Sequence, residues 1–312
     1  MLEKIAKGYG IELKRWSFLG KGYRNRNYLL TDLAGKKYNL IIYKPEKDIL
    51  PKIRAAHIFS QGIDQNVSFE VRKPISKKLF QLGKSYGAIY SFLEGETIPW
   101  ESYTMERIKN LGGALAEIHS CKLSEFANKL PSANLLQREE LAKMTNYFVS
   151  SDVRKAMKKK LAVELNLERL RGFSSLIDGL ESLDSYPLHL DFVRGNVLFS
   201  QEQVVGVIDF EKAAIGPRVL DISRTLAFLL VDCVYKPPRK VWRYFLSSGY
   251  CKRGSNSISA LEEQLISQLV YFYLSYDFYK FLKNNPYESL PENAHFLRTK
   301  ALLSGRILRG KN

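Results

Sequence analysis

Leu188–Arg224 reads LHLDFVRGNVLFSQEQVVGVIDFEKAAIGPRVLDISR. In it His189, Asp191 and Asn196 follow the spacing H-x-D-x4-N, and Asp209 stands at the end of the apolar run Val204–Ile208. A short apolar run bounded by turn residues reads as a buried strand, which delivers Asp209 at its end. Ser200–Gln203 reads as the turn of a hairpin between Val197–Phe199 and that strand, and the hairpin returns Asp209 to the side of Asn196. A further short strand is expected at Leu188–His189. These residue types suit the transfer of a phosphoryl group to a hydroxyl. That reaction asks for a group to orient the hydroxyl and accept its proton, and for metal ions to neutralise the phosphates. Asp191 fits the first role. Asn196 and Asp209 fit the second, because magnesium takes hard oxygen ligands and only a few from protein. His189 is expected to hold the loop rather than move a proton. Asp221 either accepts hydrogen bonds from the loop backbone or caps the helix beginning near Ile222. Arg194 faces a phosphate or pairs with Glu211.

Upstream, residues 10–43 alternate as strands do, at Ile11–Leu19, Tyr28–Asp32 and Lys37–Tyr43. The turn between the first two, GKGYRNRN (Gly20–Asn27), is rich in glycine and asparagine. Glycine lets backbone N–H groups approach a phosphate closely, and Lys21, Arg24 and Arg26 add charge. Gly20, Lys21, Gly22, Arg24 and Asn25 are therefore candidate phosphate contacts. A helix is expected over Asp48–Gln61, with Pro51 harmless in its first turn. Strands follow near Val67–Arg72 and Ser85–Leu93, and a hinge at Tyr90–Gly95. Adenine is expected beneath Ser91–Leu93.

Downstream the pattern is helical: Tyr103–His119, Gln137–Ser150, Val153–Leu183 broken near Gly172, Val219–Val234, Lys240–Ser248, Ala260–Leu282 and Pro291–Leu308. Strands first and helices afterwards give an α+β fold in two lobes. A small antiparallel-sheet, nucleotide-binding lobe spans 1–93, and a mostly helical lobe with the catalytic loop and acceptor site spans 94–312. The helix VYFYLSYDFYKF (Val270–Phe281) is unusually aromatic, and Tyr273 and Asp277 share one of its faces. That wall suits an amine-bearing acceptor through cation–π and charge contacts, or it is core.

The chain has 312 residues and is 45% hydrophobic, enough for a substantial core. No apolar run reaches the length of a membrane span and no leader-like segment opens the chain, so no membrane insertion is expected. Three scattered cysteines, Cys121, Cys233 and Cys251, suit a reducing cytoplasm. Forty-eight Lys and Arg against 32 Asp and Glu give a net charge of +16, which attracts polyanions, ATP included. No nucleic-acid recognition motif accompanies the charge, so a nucleic-acid partner is not expected. Its one local concentration, Arg298, Lys300, Arg306, Arg309 and Lys311, reads as a solvated helix face.

Over nearly its whole length the chain resembles the aminoglycoside phosphotransferase and choline kinase-like superfamily, a branch of the protein-kinase-like fold. The resemblance rests on LHLDFVRGNVLF and GVIDFEKAAIGPRVLDIS, supported by YSFLEGETIPW and LGGALAEIH. Among subgroups, Asn25–Tyr28, Leu50-Pro51 and FLEG are most similar to homoserine kinase-type members. It implies an ATP- and Mg-dependent phosphotransferase with a small-molecule hydroxyl acceptor: an amino alcohol, hydroxy amino acid, sugar or aminoglycoside. It also implies a phosphate-binding lysine on the third strand and a helical glutamate to hold it. Here those slots fall on Ile41 and on Ala56, beside His57. Lys44, at opposite strand parity, reaches the nucleotide only if the strand end turns it; Lys21, Arg24 or Arg26 are the substitutes. Loss of the pair also motivates a second expectation, a weak or silent relative that binds nucleotide or a protein partner.

Overall fold

A computed structural model of the chain describes residues 1–21, 25–122, 124, 126, 128–163, 167–253 and 257–304. Five antiparallel strands make the first sheet: β1 (Leu13–Lys21), β2 (Arg26–Asp32), β3 (Lys37–Ile42), β5 (Phe80–Leu82) and β6 (Ser85–Ser91), in the order β1-β2-β3-β6-β5. Successive side chains of a strand point to opposite faces, and both faces of β3 are buried. Leu40 and Ile42 join Leu30 and Ile89 beneath α1 (Leu2–Gly8), which contributes Leu2 and Ala6. Ile41 and Tyr43 join Ala88 and Tyr90 on the other face, against Ile49 and Ile53 of α2 (Ile49–Ile63).

α2 also ties the sheet to the rest of the molecule. Its Ala56, Phe59 and Ile63 enter the large core of the helical half. β4 (Glu70–Val71) pairs in parallel with β9 (Gln203–Val207), which forms a hairpin with β8 (Val197–Ser200). β7 (Tyr186–Leu188) pairs with β10 (Ala214–Gly216). The hairpin expected around Ser200–Gln203 is thus present, and β4 lies along β9, which makes β9 the middle strand of three.

The helices are α3 (Met105–His119), α4 (Ala133–Phe148), α5 (Ser151–Leu161), α6 (Leu167–Gly179), α7 (Arg218–Asp232), α8 (Pro238–Arg243), α9 (Ala260–Asn284) and α10 (Ala294–Leu303). α7 is buried along nearly its whole length and packs against α9. The start of α9 is fixed by a capping box, in which Ser259 and Glu262 each bond the other's backbone. α3 lies so close to the π-helical turn Tyr244–Gly249 that a Cβ on Gly112 would fall 2.1 Å from the Phe245 carbonyl oxygen.

Some expectations needed correction. The break expected near Gly172 falls between Leu161 and Leu167; Ala162 ends α5 in the left-handed conformation, φ 50°, and Gly172 lies inside α6. α1, β5 and β10 were not foreseen. In the basic tail, Lys300 donates to the Leu161 carbonyl (2.8 Å) and Arg298 to that of Leu230 (3.4 Å), so both hold α10 in place. Arg306, Arg309 and Lys311 lie outside the described residues. Among the described residues no helix is long and apolar enough to cross a membrane.

Candidate active site

Pro217 starts α7 and places Asp221 in its first turn, fully buried. The Asp221 carboxylate accepts hydrogen bonds from the backbone N–H of His189 (2.7 Å) and Leu190 (3.0 Å), and lies 3.3 Å from His119 Nε2. It braces the loop, and the capping position belongs to Pro217. Leu190 is held at φ 54°, a left-handed conformation that costs a branched residue about 1–2 kcal/mol. Charge-assisted bonds to two consecutive amides are strong enough to impose it.

His189 works the same way from the side. Its Nδ1 accepts from the Asp191 N–H (3.2 Å), so the ring proton is on Nε2, which donates to the Ile208 carbonyl (3.3 Å). Both ring nitrogens are therefore committed to holding the loop against the end of β9. Asn196 closes the arrangement. Its Nδ2 donates to the Asp191 carbonyl (2.9 Å), while the Ile208 N–H donates to the Asn196 carbonyl (2.9 Å). Asp209, also left-handed at φ 65°, follows directly. With the amide nitrogen turned to Asp191, the Asn196 oxygen is the atom left for a cation. One amide oxygen and one carboxylate fit magnesium, which keeps most of its shell for water and phosphate.

Asp191 itself is bound by cations. Lys212 Nζ lies 2.7 Å and Arg224 Nη2 3.8 Å from its Oδ1. Burial pushes its carboxyl up, but the Lys212 and Arg224 charges outweigh burial and hold it at about 2. The group is a carboxylate throughout the physiological range. Arg194, on the neighbouring turn, pairs with Glu101 (3.4 Å) and Asp232 (3.8 Å) rather than with Glu211.

The turn after β1 reaches this site through Asn25. Its Nδ2 donates to Glu211 (2.9 Å), next but one to Asp209, and its Oδ1 accepts the Lys44 N–H (3.2 Å). Gly20 sits at φ 106°, a backbone conformation that favours glycine. Gly22 and Arg24 lie outside the described residues, as does the Lys21 side chain; the Lys44 side chain is exposed. At the hinge, the Ser91 N–H is bonded to the Lys73 carbonyl (2.9 Å), and buried Leu93 packs over Gly206.

The signature matches a known family over residues 15–254, the family described as phosphotransferase enzymes. This chain belongs to the phosphotransferase enzyme family. It is 27% identical over 225 residues to a homoserine kinase of Methylocella silvestris, a match covering 70% of this chain and 64% of that enzyme. Among solved structures it is similar to amicoumacin kinase in complex with AMP-PNP, Ca2+ and Ami, at TM-score 0.73 and 16% identity, covering 100% of this chain and 95% of that one. It is also similar to a macrolide 2'-phosphotransferase from Brachybacterium faecium, at TM-score 0.64 and 14% identity, covering 100% and 99%. At such identities the likeness establishes the fold, and the fold is that of the protein-kinase-like phosphotransferases.

Ile41 and Ala56, at the slots expected for a lysine and a glutamate, are both buried. The space beside them is filled by a neutral chain: Tyr43 and Tyr90 share a hydroxyl–hydroxyl bond (2.5 Å), and His57 Nε2 meets the Tyr90 hydroxyl (2.8 Å). Burial pushes His57 down to about 4, so its ring is uncharged at neutral pH. Arg72, just after β4, lies over the Tyr90 ring (5.6 Å) and lines a tight, nearly filled pocket with Tyr43, Ala56, Asp209 and Glu211. Arg72 carries no local signal, because its position depends on the distant pairing of β4 with β9.

Tyr273 and Asp277 are both buried. The Arg224 guanidinium lies over the Tyr273 ring (5.4 Å), and Asp277 is bonded to His295 Nε2 (2.8 Å), whose Nδ1 meets Asp232 (3.1 Å). Burial pushes His295 down, but the two carboxylates outweigh it and raise it to about 9, from 6.5 when free. A folded-state value above the unfolded one stabilises fully below about pH 6.5, and the gain is lost as pH rises through about 9. Urea unfolding of the wild type is therefore expected to lose on the order of 1–3 kcal/mol across that window. His295→Gln should flatten the profile.

Proposed function

We propose that the protein transfers the γ-phosphoryl group of ATP, with magnesium, to a hydroxyl of a small metabolite. The observation that carries this is one backbone framework linking the three key side chains. Asp221 fixes His189 and Leu190, Asn196 bonds Asp191, and Ile208 bonds Asn196 and leads into Asp209. The sheet half, 1–93, would bind the nucleotide, and 94–312 would supply the catalytic loop and the acceptor site.

Asn196 and Asp209 would hold the metal, which when bound neutralises phosphate charge. Asp191 orients the acceptor hydroxyl. Held at about 2, it is a weak base, so it takes the proton only as the oxygen loses its electron density to phosphorus. The bond formed is between the acceptor oxygen and the γ-phosphorus; the bond broken joins that phosphorus to the bridging oxygen of ADP. Lys212, beside Asp191, can turn from its carboxylate to the transferring group. Asn25, bonded to Glu211, would stand near the phosphates, and the hinge at Ser91–Leu93 would border adenine.

Arg72 supplies the positive charge that the third strand lacks. Arg72→Ala is expected to weaken ATP–Mg binding about 10- to 100-fold, the worth of charge-assisted hydrogen bonds. Adenosine, which has no phosphates, should bind both proteins equally. Titration calorimetry with the two ligands checks this, and equal ATP affinity in the variant contradicts the role. The activity itself is tested by an ATP-consumption screen against hydroxylated metabolites, with Asp191→Ala as control. Equal phosphate transfer by that variant would refute the proposal.

A further inference from the structure

We infer that Arg224 is a positioning residue for the transfer: held by Glu140, it fixes the Asp191 carboxylate so that Oδ2, and not Oδ1, faces the acceptor hydroxyl. The inference deepens the functional reading above and rests on it.

One face of α7 grips the catalytic loop residue by residue. Asp221 accepts from the N–H groups of His189 and Leu190. One turn on, Arg224 Nη2 stands 3.8 Å from Asp191 Oδ1, and Thr225 Oγ1 donates to the Phe192 carbonyl (3.1 Å). Residues three and four apart share a helix face, so Asp221, Arg224 and Thr225 meet the loop in its own order, 189 to 192. Two of these contacts hold backbone. Arg224 is the one that reaches the side chain expected to take part in the chemistry.

Two cations meet Asp191, and they differ in freedom. Lys212 Nζ lies closer, at 2.7 Å, but its side chain is 40% exposed on a flexible stem. The Arg224 side chain is 4% exposed, lies beneath the Tyr273 ring (5.4 Å), and donates through Nη1 to both oxygens of Glu140 (3.4 Å each). A planar guanidinium held at one end by a carboxylate has a set direction at the other. Lys212 can leave for the transferring group; Arg224 stays. Both cations meet Oδ1. Among the described residues Oδ2 accepts only one long hydrogen bond, from Asn196 Nδ2 (3.4 Å). Oδ2 therefore lies on the side of Asn196, where the phosphate would be held. As the acceptor oxygen bonds to the γ-phosphorus, its proton passes to Oδ2, and ADP leaves with the electrons of the broken bond.

The test uses the full chain with ADP, magnesium and aluminium fluoride, a complex in which a water takes the place of the acceptor hydroxyl. In its crystal structure we expect that water at about 2.6–3.2 Å from Asp191 Oδ2, with Arg224 still between Glu140 and Oδ1. A water on the oxygen nearer Arg224, or Arg224 turned away from Asp191, overturns the inference and leaves the functional reading standing. Magnesium-dependent ATP hydrolysis gives the second measurement. Glu140→Gln/Arg224→Gln removes the buried pair together, so that neither charge is stranded. Its kcat should fall about 10- to 100-fold, the effect of a misplaced reacting group, with KM for ATP unchanged. Glu140→Gln alone, which frees the guanidinium, should fall less, and Arg224→Lys should recover part of the rate. A double variant with the wild-type kcat, or one whose loss lies in KM, overturns the inference; if it fails to fold, the aluminium fluoride complex decides alone. A wild type that neither binds ADP–Mg nor hydrolyses ATP would remove the functional reading, and this one with it.

Discussion

Asp191→Asn is expected to lower the rate of phosphoryl transfer by about 10²–10⁴-fold, the range found when a positioned proton acceptor is lost. The substitution keeps the shape of the side chain and removes its charge. Asn196 bonds the Asp191 backbone carbonyl at 2.9 Å, and that contact does not depend on the side chain. Arg224 keeps Glu140, so no buried charge is stranded. ATP–Mg affinity and the unfolding midpoint should therefore stay near wild type while turnover falls. The effect should appear in kcat rather than KM, because the hydroxyl is still bound but is neither oriented nor relieved of its proton. Lys212→Met provides the internal comparison. Lys212 holds the Asp191 carboxyl down, so removing it raises that group's pKa and moves the acid limb of the rate profile to higher pH. The Asp191→Asn variant should have no such limb.

The second large effect is on the framework. Asp221→Ala removes the acceptor of two backbone amides and the partner of His119, all of them buried. Burial also holds His119 down, so its ring cannot compensate by taking charge cheaply. Breaking a buried charged cluster costs roughly 3–5 kcal/mol. We expect a loss of that size in urea unfolding, together with loss of activity, since the direct bond to the Leu190 N–H, which favours its left-handed conformation, goes with the carboxylate. Asp221→Asn offers one acceptor oxygen where the wild type has two, and should fall between. If Asp221→Ala were as stable as the wild type, the loop would be held by something other than this carboxylate.

What could be read in the sequence follows from how local the cause is. The hairpin carrying Asn196 and Asp209 was legible because its turn, its apolar strand and its polar residues all lie within a short stretch. The missing lysine was legible too, since the alternation of Leu40, Ile41 and Ile42 fixes which side chain faces α2. Features set by distant packing were not. Arg72 reaches the pocket beside Asp209 only because β4 docks beside β9. β10 exists only because Ala214–Gly216 meets β7. The aromatic helix showed that Tyr273 and Asp277 share a face, but not that Arg224 and His295 would occupy them. α1 is a short helix that gains its stability from the sheet it covers, and so its own sequence barely announces it.

The central claim is that Asp191, Asn196 and Asp209 form a working phosphoryl-transfer site, and it can be tested before the acceptor is known. Release of labelled phosphate from γ-labelled ATP, with water as the only acceptor, would be measured for the wild type and for Asp209→Ala, each with and without magnesium. A slow hydrolysis that requires magnesium and disappears in Asp209→Ala is the expected result. Hydrolysis that persists unchanged in Asp209→Ala, or ATP bound tightly with no turnover even when hydroxylated metabolites are added, would contradict it.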